Sequence, residues 1–458
     1  MIKIDRALIE KYNTQGPRYT SYPTVPYWMD SPTEAQWIES LNQAFQSAQD
    51  EKTGAALYIH IPFCMSLCTY CGCNTRITRK KEVGRPYVQS VIKEWELYRK
   101  RLSQASYLPI ADLHLGGGTP TFLSPEELKE LVEGVLGPSN CLSGGEYSIE
   151  VDPRTTTLDH LKVLRSLGFS RISLGVQDFD RKVQDSVNRV NSVEMVQSLT
   201  EAARTEGFKS VNFDLIYGLP FQTRDSIRQT IESVARIRPD RIAFYAYAHV
   251  PWIKPSQRRF TEDDLPKGEE KRDLYEIGRE IFEENGYREI GLDHFALESD
   301  SLWIAAQKKN LHRNFMGYIS ERVFPLVGLG VSAIGDSWKI FSQNEKHLEK
   351  YEGRIAADEI PIHRGHILTD EDQIIRKHIL NLMTRLETKW DLPSLKTPFL
   401  DNVASRLAEP IQDGLVQIDG SSCVVTEKGR PFLRNICMAF DARLAEKSPE
   451  TQVFSKTV

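Results

Sequence analysis

A chain of 458 residues, 40% hydrophobic and 26% charged, has globular composition and the length of two or three domains. Its formal net charge of -5 gives no overall basic field, which disfavours nucleic acid as a partner and leaves an anionic substrate dependent on local cations. The opening residues, MIKIDRALIEKYN, carry charges where a signal peptide needs an apolar stretch, and no uncharged apolar run could span a bilayer, so a cytoplasmic protein without a membrane partner is expected.

In chain order, residues 1–50 form an extension containing GPRYTSYPT at 16–24, a segment too rich in Gly, Pro, Ser and Thr for a long helix and expected to wrap over the active site. From Leu57 onward, short apolar, β-branched runs recur at 57–61, 112–115, 147–151, 170–174, 211–216 and 241–247, each a candidate buried strand. Stretches of helical period separate them, such as 85–102, 125–136 and 225–237; Ser124, Pro125 and Glu127 give the second of these a capping box with Pro at the first helical position. This alternation predicts an α/β domain over 51–365: a parallel sheet with outer helices, either doubly wound or a complete or partial barrel, with functional residues at the C-terminal strand ends. In 366–458 the pattern changes to a helix near TDEDQIIRKHILNLMTRL and two short strands around Asp419-Gly420. A mainly helical, winged-helix-like packing domain is expected there, since no basic recognition helix is present.

Four of the seven cysteines fall within ten residues, Cys64, Cys68, Cys71 and Cys73, which points to a metal site in a reducing compartment and away from a disulfide scaffold. Thiolates suit zinc and iron–sulfur clusters alike, but a structural zinc site normally pairs two knuckles and no second one follows. The C-x3-C-x2-C spacing after the first strand resembles the signature of the radical S-adenosylmethionine (SAM) superfamily. That resemblance implies a [4Fe–4S] cluster on Cys64, Cys68 and Cys71, with the fourth iron open to the amino and carboxylate groups of SAM. One electron then cleaves SAM to a 5′-deoxyadenosyl radical. Tyr70 matches the superfamily position that contacts adenine. Cys73 cannot be a fourth ligand if SAM binds, and is a neighbour supporting the cluster, a redox-active thiol or a small buried residue.

Gly116-Gly117-Gly118-Thr119-Pro120 follows the second strand, where bare backbone can approach a ligand, and matches the superfamily's glycine motif for the SAM amino group. Glu150, Gln177 and Asp214 lie at or just past the next three strands, and Arg189 lies further along. Arg189 suits a SAM carboxylate and the others suit its ammonium and ribose hydroxyls; the alternatives are an exposed helix charge and strand-end caps.

Nearly end to end, through motifs such as YIHIPFC, SIEVDPR, GVQDF, DLIYGLP, DHFA, HRNF and RNICM, the chain resembles the oxygen-independent coproporphyrinogen III oxidase (dehydrogenase) family. The resemblance implies a partial (β/α)6 barrel, opened under an N-terminal segment and a C-terminal domain. The implied reaction belongs to haem biosynthesis: two propionates of coproporphyrinogen III become vinyl groups, giving protoporphyrinogen IX. It also implies a reduced flavodoxin- or ferredoxin-like electron donor and a monomer. By motif, Tyr58, Cys64, Cys68, Tyr70, Cys71, Gly117, Gly118, Thr119, Glu150, Gln177, Arg189, Asp214, Ala248 and Ile334 match the family's cluster and SAM positions, with Tyr58, Cys73 and Glu150 nearest the chemistry.

Family members carry Gln, associated with a second bound SAM, where this chain has Met316; a thioether cannot replace the amide's hydrogen bonds. Arg18, Arg313 and His312 are candidate cations for the four substrate carboxylates, while Tyr19 and Tyr22 either line a tetrapyrrole face or anchor the N-terminal segment. Two rivals stand beside this reading. One is a haem chaperone, which lacks the PRYTSYPT segment and carries Phe in place of Cys73; the other is an anaerobic haem-modifying radical SAM methyltransferase, which Met316 keeps open.

Overall fold

The computed structural model describes residues 5–51, 53–103, 109–137, 140–447 and 453–457. All six expected strands form: β1 (Ala55–Ile61), β2 (Pro109–Gly117), β3 (Asn140–Val151), β4 (Arg171–Gln177), β5 (Ser210–Tyr217) and β6 (Arg241–Ala246). They pair in chain order and in parallel. In β1 every residue except Tyr58 is buried, as a parallel strand covered on both faces requires.

The covering helices are α1 (Gly84–Arg101), α2 (Pro125–Leu136), α3 (Leu158–Ser166), α4 (Val193–Thr205), α5 (Arg224–Ile237) and α6 (Gly268–Glu284), one after each strand. The α2 capping box forms as the sequence predicts, with Ser124 Oγ accepting from the Glu127 amide and the Glu127 carboxylate accepting from that of Ser124. Strand residues Ile59, Leu113, Ile149, Leu174 and Phe213 meet helix residues Val91, Leu131, Leu161 and Ile231 in one apolar core.

The sheet does not close. Beyond β1 lie a parallel strand, Leu326–Leu329, and the antiparallel strands Ile334–Asp336, Ile340–Asn344 and Ile362–Ile367; beyond β6 lies the hairpin of His294–Leu297 and Tyr287–Gly291. Of the architectures the alternation allows, the chain adopts the partial barrel, lengthened at both edges to twelve strands.

One expectation is overturned. The N-terminal extension contains an 18-residue helix, Glu34–Glu51, whose Trp37, Leu41, Ala44, Phe45 and Ala48 form a buried stripe of helical spacing. The Gly, Pro, Ser and Thr residues that argued against a long helix lie before it, in 14–33. Trp37, Leu41 and Phe45 join the barrel core.

A second core binds the chain's two ends together. Tyr19 and Tyr22 are buried with Ile375, Ile379, Leu382, Leu433 and Phe440, so the packing role applies to both tyrosines and not the tetrapyrrole face. The expected C-terminal helix is Asp370–Arg385, and the hairpin pairs Val416–Asp419 with Ser422–Val425; a third short strand, Glu387–Lys389, joins it. No helix among the described residues is long and apolar enough to cross a membrane.

Candidate active site

A cavity of about 610 Å³ runs inside the partial barrel from the cysteine loop towards the N-terminal ends of β4 and β6, a size suited to a small-molecule site. Cys64, Cys68 and Cys71 all line it, together with Tyr70 and Cys73. Among the described residues no three ligating side chains converge on one point that could hold a single metal ion.

The surroundings of the thiols suit an iron–sulfur cluster. Arg189 Nη1 lies 3.7 Å and Arg154 Nη2 3.9 Å from Cys68 Sγ, and Thr119 Oγ1 lies 3.4 Å from Cys64 Sγ. Burial pushes the Cys64 thiol up to about 11, while a hydrogen bond from Cys73 brings Cys71 down to about 6. Cys73 itself is exposed at the rim, which removes the reading of a small buried residue.

The glycine run forms the end of β2. The Gly118 amide donates to the Ile61 carbonyl at 2.7 Å, and a Cβ at Gly118 would lie 2.7 Å from the Pro62 carbonyl oxygen, within the backbone that carries Cys64. Gly117 adopts φ +114°, where a side chain would be strained, and a Cβ there would press on the His60 ring. Glycine is therefore required for the cysteine loop to sit against β2.

Glu150, at the end of β3, accepts from the Gly117 amide at 3.2 Å and faces His114 Nε2 at 3.3 Å. Burial pushes its carboxyl up, but His114 and the Gly117 amide outweigh this and hold it below the usual range. Asp214, opposite on β5, goes the other way: burial and then the Glu150 charge push it up to about 6, against hydrogen bonds from Ser173 and Asn212. The cavity thus pairs a firmly ionised carboxylate with one that takes a proton readily, a separation set by environment.

Arg189 is buried, not an exposed helix charge. Its Nε and Nη2 donate to the Gly175 carbonyl and its Nη1 to Asp152 Oδ2 at 3.1 Å. Burial opposes its charge, yet Tyr70, Asp152 and Cys68 hold it fully protonated. Gln177 ends β4 at a register shift with φ +70°, an unfavourable conformation for a side-chain-bearing residue that turns the strand end beside Arg189.

Three of the expected cluster and SAM residues lie outside the cavity lining. Tyr58 stands behind it on β1, its ring stacked on His114 at 5.9 Å and its hydroxyl 3.0 Å from His60 Nδ1. Ala248 follows β6, its carbonyl and that of Tyr70 both accepting from Gln257 Nε2 at 3.2 Å. Ile334 lies in one of the strands added beyond β1, where it pairs with Gln343.

The substrate cations are redistributed. Arg18 pairs with Asp293 at 3.1 Å and lines a second cavity on the outer side of β6. Arg313 is buried against the Tyr318 ring, with Nε and Nη1 lacking any protein partner. His312 cannot supply a cation: burial, Arg322 and Arg376 push it down to about 3. The sequence reading also passed over His114, Asp152 and Arg154, all lining the cavity; Asp152 and Arg154 sit in the SIEVDPR motif, immediately after the β3 end that carries Glu150. Met316 lines the cavity as well, its amide donating to Asn314 Oδ1 at 2.9 Å.

Comparison with known proteins matches this geometry. The chain is 39% identical over 468 residues to the oxygen-independent coproporphyrinogen III oxidase of Pseudomonas aeruginosa, covering 100% of this chain and 99% of the relative. This chain belongs to the oxygen-independent coproporphyrinogen III oxidase family. The Escherichia coli member is 39% identical over 464 residues, covering 99% of this chain and 98% of the relative. A solved structure of the coproporphyrinogen III oxidase from Escherichia coli, described as a radical SAM enzyme, superimposes with a TM-score of 0.88 at 37% identity over 96% of this chain and 99% of that one. The sequence model of the Radical SAM superfamily matches residues 58–234 of this family member, from within β1 into α5.

Proposed function

We propose that this protein converts coproporphyrinogen III to protoporphyrinogen IX without oxygen, turning two propionate side chains into vinyl groups with release of two CO2. The observation that carries this is a three-thiol cavity in a chain related from end to end to oxidases of that name. With a [4Fe–4S] cluster and SAM in place, the cofactors supply a 5′-deoxyadenosyl radical that takes a hydrogen atom from the propionate β-carbon. The substrate radical would then lose CO2 and pass one electron to an external one-electron acceptor, leaving the vinyl group.

The chain's own part is binding, orientation and charge. Cys64, Cys68 and Cys71 hold the cluster, and Gly117, Gly118 and Thr119 bring bare backbone to the SAM amino group. Glu150, ionised by its partners, receives that ammonium. Arg189 faces the SAM carboxylate, Asp214 and Gln177 the ribose, and Tyr70 the adenine, while Tyr58, Ala248 and Ile334 shape the walls from behind. Cys73 stands beside the cluster without ligating it. Arg313, a buried cation with two unpartnered donor nitrogens, takes a substrate carboxylate.

Residues 1–50 and 366–458 cover the barrel opening of 51–365; the shared core of Tyr19 and Tyr22 with the C-terminal helices supports this. The protein acts as a cytoplasmic monomer, reduced by a flavodoxin- or ferredoxin-like donor. Met316 offers a second SAM no directed hydrogen bond, so one SAM is exchanged between the two half-reactions.

Anaerobically reconstituted protein should hold about four iron and four sulfide per chain and bind SAM to saturation near one per chain. With coproporphyrinogen III and reductant it should accumulate a product with one vinyl group before the divinyl product. SAM cleavage without porphyrinogen decarboxylation would overturn the assignment; stable haem binding without turnover would favour the chaperone.

A further inference from the structure

The second cavity, of about 680 Å³ on the outer side of β6, is walled by α6, the hairpin of Tyr287–Gly291 and His294–Leu297, and the C-terminal domain. None of its lining residues lines the cysteine cavity. Most of its charges are balanced by a neighbour: Arg279 pairs with Glu276 and Glu283, each at 2.8 Å, Arg288 with Glu298 at 2.8 Å, and Lys309 with Glu387 at 2.5 Å. One corner is not balanced. Arg18, Arg434 and Lys456 line it, and Lys271 of α6 stands behind them, its Nζ 6.0 Å from the centre of the Tyr217 ring.

Four distant parts of the chain bring these cations together, and backbone carbonyls hold them there. Arg434 donates to the carbonyls of Pro17 at 3.0 Å and Lys456 at 2.8 Å, Arg18 to that of Ala246 at 2.9 Å, and Lys271 to that of Tyr247 at 3.2 Å. Asp293, 3.1 Å from Arg18, is the one carboxylate in ion-pair contact with any of the four among the described residues. Lys271 registers the crowding: burial, then Arg18, Arg434 and Lys456, push its ammonium down to about 8 against the pull of Asp293. Like charges gathered by folding raise the free energy of the folded state, and a bound anion lowers it. Guanidinium and ammonium donors converging on one corner suit a group that spreads two or more negative charges over several oxygens. A phosphate or pyrophosphate group does this in one compact unit, whereas a carboxylate brings a single charge. Ile290, Leu292 and Trp303, also in the lining, belong to one apolar cluster and suit a less polar body attached to that group.

We infer that this cavity binds a phosphate-bearing small molecule, with Arg18 and Lys456 contacting the phosphate or pyrophosphate group and Arg434 and Lys271 adding to the positive field. The site is separate from the cysteine cavity, so it neither needs the cluster nor competes with SAM. The bound anion favours the charged ammonium, so Lys271 shifts back towards its ordinary range and the complex takes up a proton near pH 8. Below pH ~6 Lys271 is charged in both states, and no uptake follows.

Pyrophosphate and ATP, both without magnesium, are the probes, titrated calorimetrically into the reconstituted protein saturated with SAM. Each should bind at about one per chain with a Kd below about 1 mM at low salt, weakening as salt rises. Tighter binding of ATP assigns the phosphate to a larger molecule that fills the apolar part, and equal binding assigns it to the free anion; both support the site. Lys456→Glu and Arg18→Gln should each weaken ATP binding by about tenfold or more. ATP is already ionised at pH 8, so a proton taken up there belongs to the protein. Lys271→Met should still bind ATP but without that uptake, read as the difference in apparent enthalpy between Tris and HEPES buffers. Absence of saturable binding to the unmodified protein overturns the inference, as does an affinity unchanged in both charge variants. Citrate binding as tightly as pyrophosphate would overturn the phosphate assignment.

Discussion

Arg189 illustrates how a buried charge is made tolerable and useful at once. A guanidinium this deep is stable only when its donors are met, and here the Gly175 carbonyl and Asp152 meet three of them while Cys68 lies 3.7 Å away. Asp152 keeps a second partner in Arg154, so removing Arg189 does not strand a carboxylate. Arg189→Ala should therefore keep the cluster's iron and lower SAM affinity about 10- to 100-fold, the loss of one charge-assisted contact of ~1.5–3 kcal/mol. Arg189→Lys, which cannot reach Gly175 and Asp152 together, should fall between. Calorimetric SAM titration beside iron analysis checks this; unchanged affinity would make Arg189 a purely structural bridge. At this scale the sequence revealed what spacing encodes, namely the cysteines, the glycine run and the strand-end residues. It could not reveal His114, a single residue without a spacing signature, whereas Asp152 was legible but passed over, two residues beyond Glu150 in the SIEVDPR motif. Nor could it reveal that His312 is neutral, because burial, and then Arg322 and Arg376, act on it through the fold.

Among the elements, the six parallel strands were legible because each is a short apolar run covered on both faces. The strands added beyond β1 were not, since Leu326–Leu329 and Ile334–Asp336 are only four and three residues long and carry no period. The Glu34–Glu51 helix was hidden because composition was averaged over fifty residues, although its own apolar stripe is regular. A polar link joins these edge elements to the barrel. Glu94 on α1 accepts from the Gly330 amide at 2.7 Å, Tyr351 Oη at 2.6 Å and Asn344 Nδ2 at 2.7 Å. Burial nevertheless pushes its carboxyl up to about 7 from an ordinary 4.5. A folded-state value above the unfolded one means the stability Glu94 contributes is complete below pH ~4.5 and is lost as pH rises through ~7. Glu94→Gln does not titrate, and its amide must oppose the Asn344 amide, whose Nδ2 also donates to the Gly330 carbonyl. The variant should be destabilised by about 1–3 kcal/mol near pH 5.5 and by less near pH 8. Urea midpoints at the two pH values test this, and a pH-independent difference would mean the carboxyl is ionised throughout.

At the scale of the whole molecule, the chain closes on itself. The barrel has its own core, and a second core is built from residues more than 350 positions apart in sequence, Tyr19 and Tyr22 packed among Ile375–Ala442. Polar contacts fix the same junction: Tyr19 Oη donates to Asp441 at 3.0 Å, Tyr22 Oη accepts from the Ala442 amide at 3.2 Å, and Arg434 donates to the carbonyls of Pro17 and Lys456. Residues 16–24 of the N-terminal extension thus pack into the C-terminal core, and they include Arg18, which pairs with Asp293 of the barrel domain and whose carbonyl accepts from the buried Arg313. Tyr22→Ala deletes a fully packed aromatic ring, a change that costs ~3–5 kcal/mol in a core that cannot collapse around it. Because the loss falls on the second core, hydrogen exchange should accelerate in 16–24 and in 370–442 together, while β1 to β5 keep wild-type protection. The cysteines and glycine run lie on the barrel, so iron content and SAM binding should persist, and activity should fall through a raised KM for the porphyrinogen as Arg313 loses its support. Faster exchange across the barrel strands as well would show that the two cores unfold as one unit and that the N-terminal extension holds the whole molecule together.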